Sequence, residues 1–365
     1  MIDEHFTVQV DVSSRQEVGN GEMMLRHLSP SHEISNKGSM RVICHLLGGS
    51  DHTSTDLRMT DEEMIPVEFD RLLDEVDREC KRLADEIPEE VNAQPTPKVI
   101  WHYTDDRGLS GILETGTLWI TDIFDLNDPS ELRHGLSYGV NYLNKIAQSW
   151  GITELSYVAK VFSELHASGV RETMNFFTLC FSLDGDELGQ WRAYADDGRG
   201  YALGFDGDIL EALFLALSPG SHHTFPVIYD DALAESQQKA LVDVVSLVFS
   251  DPKFAGLSIQ QKKKVMIRAS NIFSSNIILT AALFKHQAYT NEKEYRFLEA
   301  AHTKQPVSIK HRKRPYSLVR YRELDWQQHR DALKFIRIGP AAGPERMKEF
   351  AEDCVREFLV AESGV

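Results

Sequence analysis

The side chains best placed for chemistry in this sequence are two carboxylates late in the chain. Glu292 and Glu294 are followed by Arg296, at alternate positions. In an extended segment alternate side chains share one face, so these three lie together while Tyr295 and Phe297 point toward the core. A carboxylate beside a guanidinium predicts either a structural ion pair or an active-site carboxylate held in place by that guanidinium.

Further polar and aromatic clusters lie near the ends of predicted strands. They are Trp101 to Thr104, Phe124 to Glu131, Cys180 to Ser182 and Gln190 to Asp206. His102 and Tyr103 are neighbours on a strand and point to opposite faces, so only one can face a given cleft. His102 also fits a buried structural imidazole. Trp191 and Tyr194 share one helix face, either as core anchors or as a stacking surface for a planar ring.

Familiar catalytic motifs are absent from the sequence. It has no phosphate-binding loop, nucleophile elbow, zinc-protease helix or dinucleotide fingerprint. The glycine turns at 48–49 and 339–343 lack phosphate-loop spacing. The cysteines, Cys44, Cys80, Cys180 and Cys354, form no close pair, which predicts reduced core residues in a cytoplasmic protein. No metal site is predicted.

Composition divides the 365 residues into two parts. The formal net charge is −17, yet residues 1–95 hold 21 acidic and 9 basic side chains, and the remainder holds 35 and 30. Two prolines at 95 and 97 follow an acidic helix and indicate a linker. The sequence therefore predicts a small acidic α/β domain over 1–94 and a larger domain over 95–365. No apolar run is long enough to span a bilayer, so no membrane association is expected.

Hydrophobic periodicity predicts the elements that must position the candidate residues. A strand is predicted over 6–12 and an amphipathic helix over 61–87, with a capping box at Thr60 and Glu63. After the linker, short strands, among them 99–104 and 225–229, alternate with helices of uneven length, including helices over 130–149, 231–250 and 258–288. This pattern predicts an α+β fold with a mixed or antiparallel central sheet and inserted helices, without a regular βαβ repeat.

The clusters, taken in order, resemble the bacterial family known as domain of unknown function 2971. The matching features are His102-Tyr103, the Leu126-Asn127-Asp128-Pro129 turn, Cys180-Phe181-Ser182, Trp191 through Asp206, and Glu292 through Arg296. The closing run at 336–340 matches as well. The resemblance extends over about residues 98–355 and leaves the first 95 residues outside it.

That family is similar to the ADP-ribosyltransferase fold, and its members often sit among bacterial defence and toxin genes. The resemblance implies NAD as a substrate. By it, His102 would bind a ribose hydroxyl, Tyr194 or Tyr201 would stack on the nicotinamide, and Glu294 would stabilise a cationic sugar with Glu292 as its companion. The remaining cleft residues it implies are Tyr103, Thr104, Ser182, Trp191 and Arg296.

Two alternatives stay open from the sequence. In one, the protein is a non-catalytic ligand-sensing or protein-binding module whose residues 1–94 dock a protein partner. In the other, it is an effector that acts on nucleic acid through the basic run Lys310–Arg314, with Arg320 and Arg322 following. Charged runs are more often solvated loops, which makes the nucleic-acid alternative the less favoured one, but the acidity that argues against it lies mostly in residues 1–95.

Overall fold

The computed structural model describes residues 7–9, 64–85, 95–126, 129–151, 154–156, 171, 174–218, 220–341 and 343–360. The predicted α+β class is confirmed. The strands are β1 (Thr7–Gln9), β2 (Val99–Thr104), β3 (Thr117–Asp122), β4 (Met174–Ser182), β5 (Tyr201–Asp206), β6 (Ser221–Pro226), β7 (Glu294–His302), β8 (Lys310–Arg314), β9 (Ser317–Asp325) and β10 (Leu333–Ile338). The helices are α1 (Val67–Asp85), α2 (Asp106–Thr115), α3 (Pro129–Trp150), α4 (Leu188–Tyr194), α5 (Gly207–Leu215), α6 (Asp231–Ser250), α7 (Ile259–Leu283) and α8 (Pro344–Cys354), and a π-helical turn, Val355–Val360, follows α8.

All pairs between these strands are antiparallel, and the sheet is branched at β4. The strands run in the order β1-β10-β5-β2-β4-β3-β9-β8, while β7 and then β6 extend from β4. Strand β7 pairs along the whole of one edge of β4, so β2 and β3 share the other edge of β4. There β2 pairs at Ser182, and β3 pairs at Phe177 and Thr178. Within the described residues, the pairing on that edge passes from β3 to β2 across Leu179–Phe181, so the sheet splits beside Cys180.

Helices cover both faces of this sheet. One face carries Phe176 and Leu298 and packs against α1, α3, α6 and α7 in a single apolar core. The other face carries Phe177 and Phe297 and packs against α2, α5 and α8. The alternation of side chains along β4 and β7 therefore decides which helical layer each residue meets.

The helix predicted over 61–87 begins later, at Val67, directly after Pro66. Its apolar stripe, Phe69, Leu73, Val76 and Cys80, is buried in the same core as α6 and α7. The strand β1 likewise pairs with β10. The described parts of the acidic segment thus share the core and sheet of the larger region. Residues 10–63 and 86–94 lie outside the described part, including the predicted capping box, Cys44 and the 48–49 turn.

Several local predictions needed correction. The basic run was expected to be a solvated loop, but it forms the edge strand β8, a place where charged side chains are common. The helix α5 was not predicted, although Asp206 caps it by accepting a hydrogen bond from the Ile209 backbone N–H. The strand expected at 225–229 lies at 221–226.

Among the described helices, none combines the length and apolarity needed to cross a bilayer.

Candidate functional site

The carboxylate of Glu294 lies at the start of β7, on the sheet face that meets α7. Its Oε1 accepts hydrogen bonds from Arg296 Nε at 2.7 Å and Nη2 at 2.6 Å. Its Oε2 accepts from Lys285 Nζ at 3.1 Å, and the Cys180 thiol hydrogen-bonds the same group. The Glu294 side chain is 6% exposed. Both oxygens are therefore engaged by cations inside the protein.

The end of α7 supplies and positions these cations. Arg296 Nη1 donates to the carbonyl of Ala282 at 2.8 Å, where a positive charge is favoured by the helix dipole. Lys285 follows the helix, and its backbone N–H donates to the carbonyl of Ile228 at 3.0 Å. The Glu294 N–H donates to the hydroxyl of Tyr229 at 2.9 Å. These hydrogen bonds thus fix the positions of Arg296, Lys285 and Glu294.

The network decides the protonation state of Glu294. Burial on its own raises the pKa of this carboxyl, but the charges of Arg296 and Lys285 outweigh burial and hold the pKa at about 2. The group is consequently ionised at any physiological pH and is not suited to donate a proton.

Glu292 is the more accessible carboxylate of the pair. Its Oε2 lies 2.5 Å from Lys285 Nζ, and its side chain is 19% exposed. The Ser182 hydroxyl donates to its backbone carbonyl at 2.8 Å. Lys293 then adopts a left-handed conformation, with φ of 46°, and turns the chain from the 3-10 segment Gln287–Glu292 into β7. Glu292 is therefore held at the rim of the buried network.

Tyr194 lies beside this rim. Its helix α4 packs against the Gln287–Glu292 segment, and the residue is 41% exposed. Burial of the hydroxyl, followed by the nearby charge of Glu292, raises the pKa of the phenol. The phenol therefore remains protonated, and part of its ring is available to a ligand. Tyr194, Glu292 and Lys285 together form what we call the rim cluster.

Tyr103 and Trp191 share the sheet face of Glu294 but have packing partners. Their rings meet edge to face with centroids 4.9 Å apart. The Tyr103 hydroxyl donates to the carbonyl of Asp184 at 2.8 Å and accepts from the Glu187 N–H at 3.0 Å. Trp191 Nε1 donates to Asp186 at 3.0 Å, and the residue is fully buried. These contacts fix the loop before α4 and thereby place Tyr194.

The structure does not bring His102, Thr104 and Tyr201 to the same face. His102 pairs with Leu203 on β5, and its ring lies 6.1 Å from that of Phe181. It hydrogen-bonds the backbone of Cys180, where the sheet splits, and burial lowers the pKa of its imidazole to about 4. The Tyr201 hydroxyl donates to the carbonyl of Met347 in α8 at 3.3 Å. Alternation along β2 and β5 thus separates these residues from Glu294.

The basic residues of β8 and β9 are largely engaged within the protein. Arg314 donates to the carbonyl of Asp125 at 2.8 Å, and Arg320 bonds Asp122 at 3.0 Å. The other contacts are Lys310 with Glu323, Arg322 with Glu299 and Arg312 over the ring of Trp119. These contacts hold the five side chains against the protein, whereas Lys313 on β8 is exposed, and nucleic-acid binding stays a prediction.

Sequence reasoning missed Lys285, which contacts both carboxylates. It fell inside the helix predicted over 258–288, where a lysine reads as a surface residue. The helix ends at Leu283. The apolar run from Ile277 to Phe284 could have indicated its role. Such a run predicts a buried segment, and a lysine directly after it is expected to need an acidic partner.

Comparison with known protein families gives a match. A family model described as protein of unknown function (DUF2971) matches residues 190–297. The matched segment begins at α4 and includes the whole rim cluster with Glu294 and Arg296. The resemblance seen in the sequence is confirmed over this segment. Neither the curated proteins nor the solved structures contain a significant match.

Proposed function

We propose that the rim cluster is an NAD-cleaving site of the ADP-ribosyltransferase kind, in which Glu292 faces the substrate. The observation that carries this proposal is the arrangement of an accessible carboxylate, 2.5 Å from a lysine, above the buried Glu294–Arg296 pair. The branched antiparallel sheet, with Glu294 at the start of β7 and Glu292 at the end of the preceding 3-10 segment, supports an ADP-ribosyltransferase-like core.

The chemistry requires a fixed negative charge near the reacting sugar. When the bond between nicotinamide and ribose breaks, the nicotinamide nitrogen keeps the electron pair and the ribose becomes cationic. A preorganised carboxylate stabilises that cation, and water or an acceptor hydroxyl then attacks the sugar and loses a proton. In this proposal Glu292 supplies the charge, and the exposed ring of Tyr194 offers a stacking surface for the nicotinamide. Glu294 and Arg296 act as positioning residues.

The geometry revises the roles expected from the sequence. Glu294 was the first choice for the substrate-facing carboxylate, but both of its oxygens are occupied by Arg296 and Lys285. His102 is on the other face of the sheet and contacts the Cys180 backbone. In the proposed site, a ribose therefore meets Glu292 and Tyr194 without His102.

The direct test is release of nicotinamide from NAD by the purified full chain, followed by chromatography. Glu292→Gln should lower the rate by about 100-fold to 1000-fold, as loss of a transition-state charge does elsewhere. Glu114→Gln is the matched control, because Glu114 is exposed on α2 across the sheet. It should leave the rate unchanged.

NAD binding is measured in parallel, to distinguish a site that binds NAD without cleaving it from a chain that does not bind NAD. NAD should raise the melting temperature of the wild-type chain, and Tyr194→Ala should weaken this effect. A chain that neither binds NAD nor releases nicotinamide would contradict the proposal, as would equal rates for Glu292→Gln and Glu114→Gln.

The second candidate is a non-catalytic ligand-binding module. It is favoured by the full pairing of Glu294, since a buried carboxylate with two cationic partners is a common structural device. This alternative predicts saturable NAD or nucleotide binding without any nicotinamide release, and loss of that binding in Tyr194→Ala.

A further inference from the structure

We propose that His134, Asp231 and His286 bind a divalent cation of the zinc type, a function beyond the NAD site. One ligand atom from each residue lies within 4.8 Å of the others. His134 Nε2 is 3.3 Å from Asp231 Oδ1, and His286 Nε2 is 4.0 Å from Asp231 Oδ2. The two imidazole rings have centroids 4.9 Å apart. No metal site was expected from the sequence, because His134 and Asp231 are 97 residues apart.

These separations are close to those that zinc imposes. With metal–ligand bonds of about 2.0–2.1 Å, a tetrahedral site places neighbouring ligand atoms about 3.4 Å apart. The pair His134–Asp231 already has this spacing. His286 is 4.0 Å from the other carboxylate oxygen of Asp231 and within 4.8 Å of the His134 ligand atom, so it must move closer to both, which rotation of this 44% exposed side chain allows.

Two helices and the segment that follows a third hold the ligands. His134 lies in α3, Asp231 is the first residue of α6, and His286 comes three residues after the end of α7. The Tyr138 hydroxyl of the same helix lies 3.3 Å from His134 Nε2, and metal binding at this nitrogen replaces that contact. The three side chains are 32%, 29% and 44% exposed, so a fourth coordination position faces solvent. Such an open position is typical of zinc sites that bind water or substrate.

The donor set selects the class of cation. Two imidazoles with one carboxylate suit zinc, cobalt and related transition metals, whereas magnesium and calcium prefer oxygen ligands throughout. His286 Nδ1 now accepts a hydrogen bond from the exposed Ala288 N–H, so the neutral ring carries its proton on Nε2. Metal binding at Nε2 requires the ring to change tautomer: Nε2 loses its proton and Nδ1 takes one up from solvent, so the ring stays neutral and the Ala288 N–H turns to water.

The test is metal binding by the full chain after removal of bound metals with a chelator. Cobalt titration should give one saturable equivalent with the strong visible absorption of a tetrahedral site. Zinc should displace the cobalt, and magnesium or calcium should not. His134→Ala and His286→Ala should each weaken cobalt binding by more than about tenfold, since even outer residues of a metal site cost that much.

His311→Ala is the matched control, because His311 is exposed on the edge strand β8. It should bind cobalt as the wild type does. Circular dichroism in chelator shows whether each variant is folded, and Asp231→Asn provides a third ligand variant. Absence of a saturable cobalt spectrum in the folded wild type overturns the proposal. Equal binding by His134→Ala, His286→Ala and His311→Ala overturns it as well. Neither result bears on nicotinamide release.

Discussion

Replacing Arg296 with methionine should destabilise the protein strongly. Methionine keeps much of the side-chain length and apolar volume but removes the charge and every donor. The Arg296 side chain is 2% exposed and makes two hydrogen bonds to Glu294, at 2.7 and 2.6 Å. It makes a third to the Ala282 carbonyl at 2.8 Å. The substitution therefore leaves a buried carboxylate with Lys285 as its one remaining cation among the contacts described above.

The direction of the effect follows from the pKa of Glu294. Its pKa falls from 4.5 to about 2 in the folded chain, because the charges of Arg296 and Lys285 favour the ionised carboxyl more than burial disfavours it. Removing one partner of a buried ion pair costs about 3–5 kcal/mol in other proteins. We expect Arg296→Met to lower the free energy of unfolding by about 3–5 kcal/mol.

Urea denaturation at pH 7 measures this loss through a double-mutant cycle with Glu294→Met. The double variant should be less destabilised than the sum of the single variants, with a coupling energy of about 1–3 kcal/mol. Arg268→Met is the control. Arg268 pairs with Asp70 and Asp74, but its side chain is 34% exposed, so its loss should cost under about 1 kcal/mol.

Acid provides an independent measurement. Because the folded pKa of Glu294 lies below the unfolded value, its contribution is complete above pH 4.5 and is lost as the pH falls toward 2. The double variant should lose less stability over this range than the wild type. Additive single variants, or an Arg296→Met loss no larger than that of Arg268→Met, would refute the reasoning.

Three further predictions concern the scaffold around the site. Burial, and secondarily the Arg322 charge, lowers the pKa of His222 from 6.5 to about 4, so stability should fall by about 3 kcal/mol as the pH drops through that range. Denaturation at pH 7 and at pH 4 should show that the free energy of unfolding falls less for His222→Gln than for the wild type. Tyr103→Phe removes the hydroxyl that holds the loop before α4, and calorimetry should show a loss of about 1–2 kcal/mol. Gly116→Ala should cost at least about 1 kcal/mol in urea unfolding, because Gly116 has φ of 61° and an added Cβ would lie 2.8 Å from Gln327. A neutral Tyr103→Phe or Gly116→Ala would show that these contacts do not support the fold.

Local periodicity was sufficient for much of the secondary structure. Strand β2 has the bounds expected from the sequence, and α6 spans the predicted 231–250. The alternation at the start of β7 was also correct for Glu294 and Arg296, which face α7, and for Tyr295 and Phe297, which enter the opposite core. Glu292 precedes the strand, in a 3-10 segment, and a left-handed Lys293 redirects the chain.

The pairing of distant segments was beyond the reach of local pattern. The apolar stripe of the helix over 67–85 is visible in the sequence. Such a stripe is equally compatible with a separate domain and with the core that this helix shares with α6 and α7. The run at 310–314 has no apolar alternation, so its place as an edge strand depends on its partner β9.

By itself, the sequence determined which nearby side chains share a face, because strand and helix periods are set by the backbone. It thereby placed Glu294 with Arg296 and His102 opposite Tyr103. The tertiary structure alone decided which faces meet, since strand order and helix crossings join residues far apart in the chain. That is why Lys285 between the two carboxylates emerged only from the folded protein. The same reason applies to His102 at the split in the sheet, and to the meeting of His134 and His286 at Asp231.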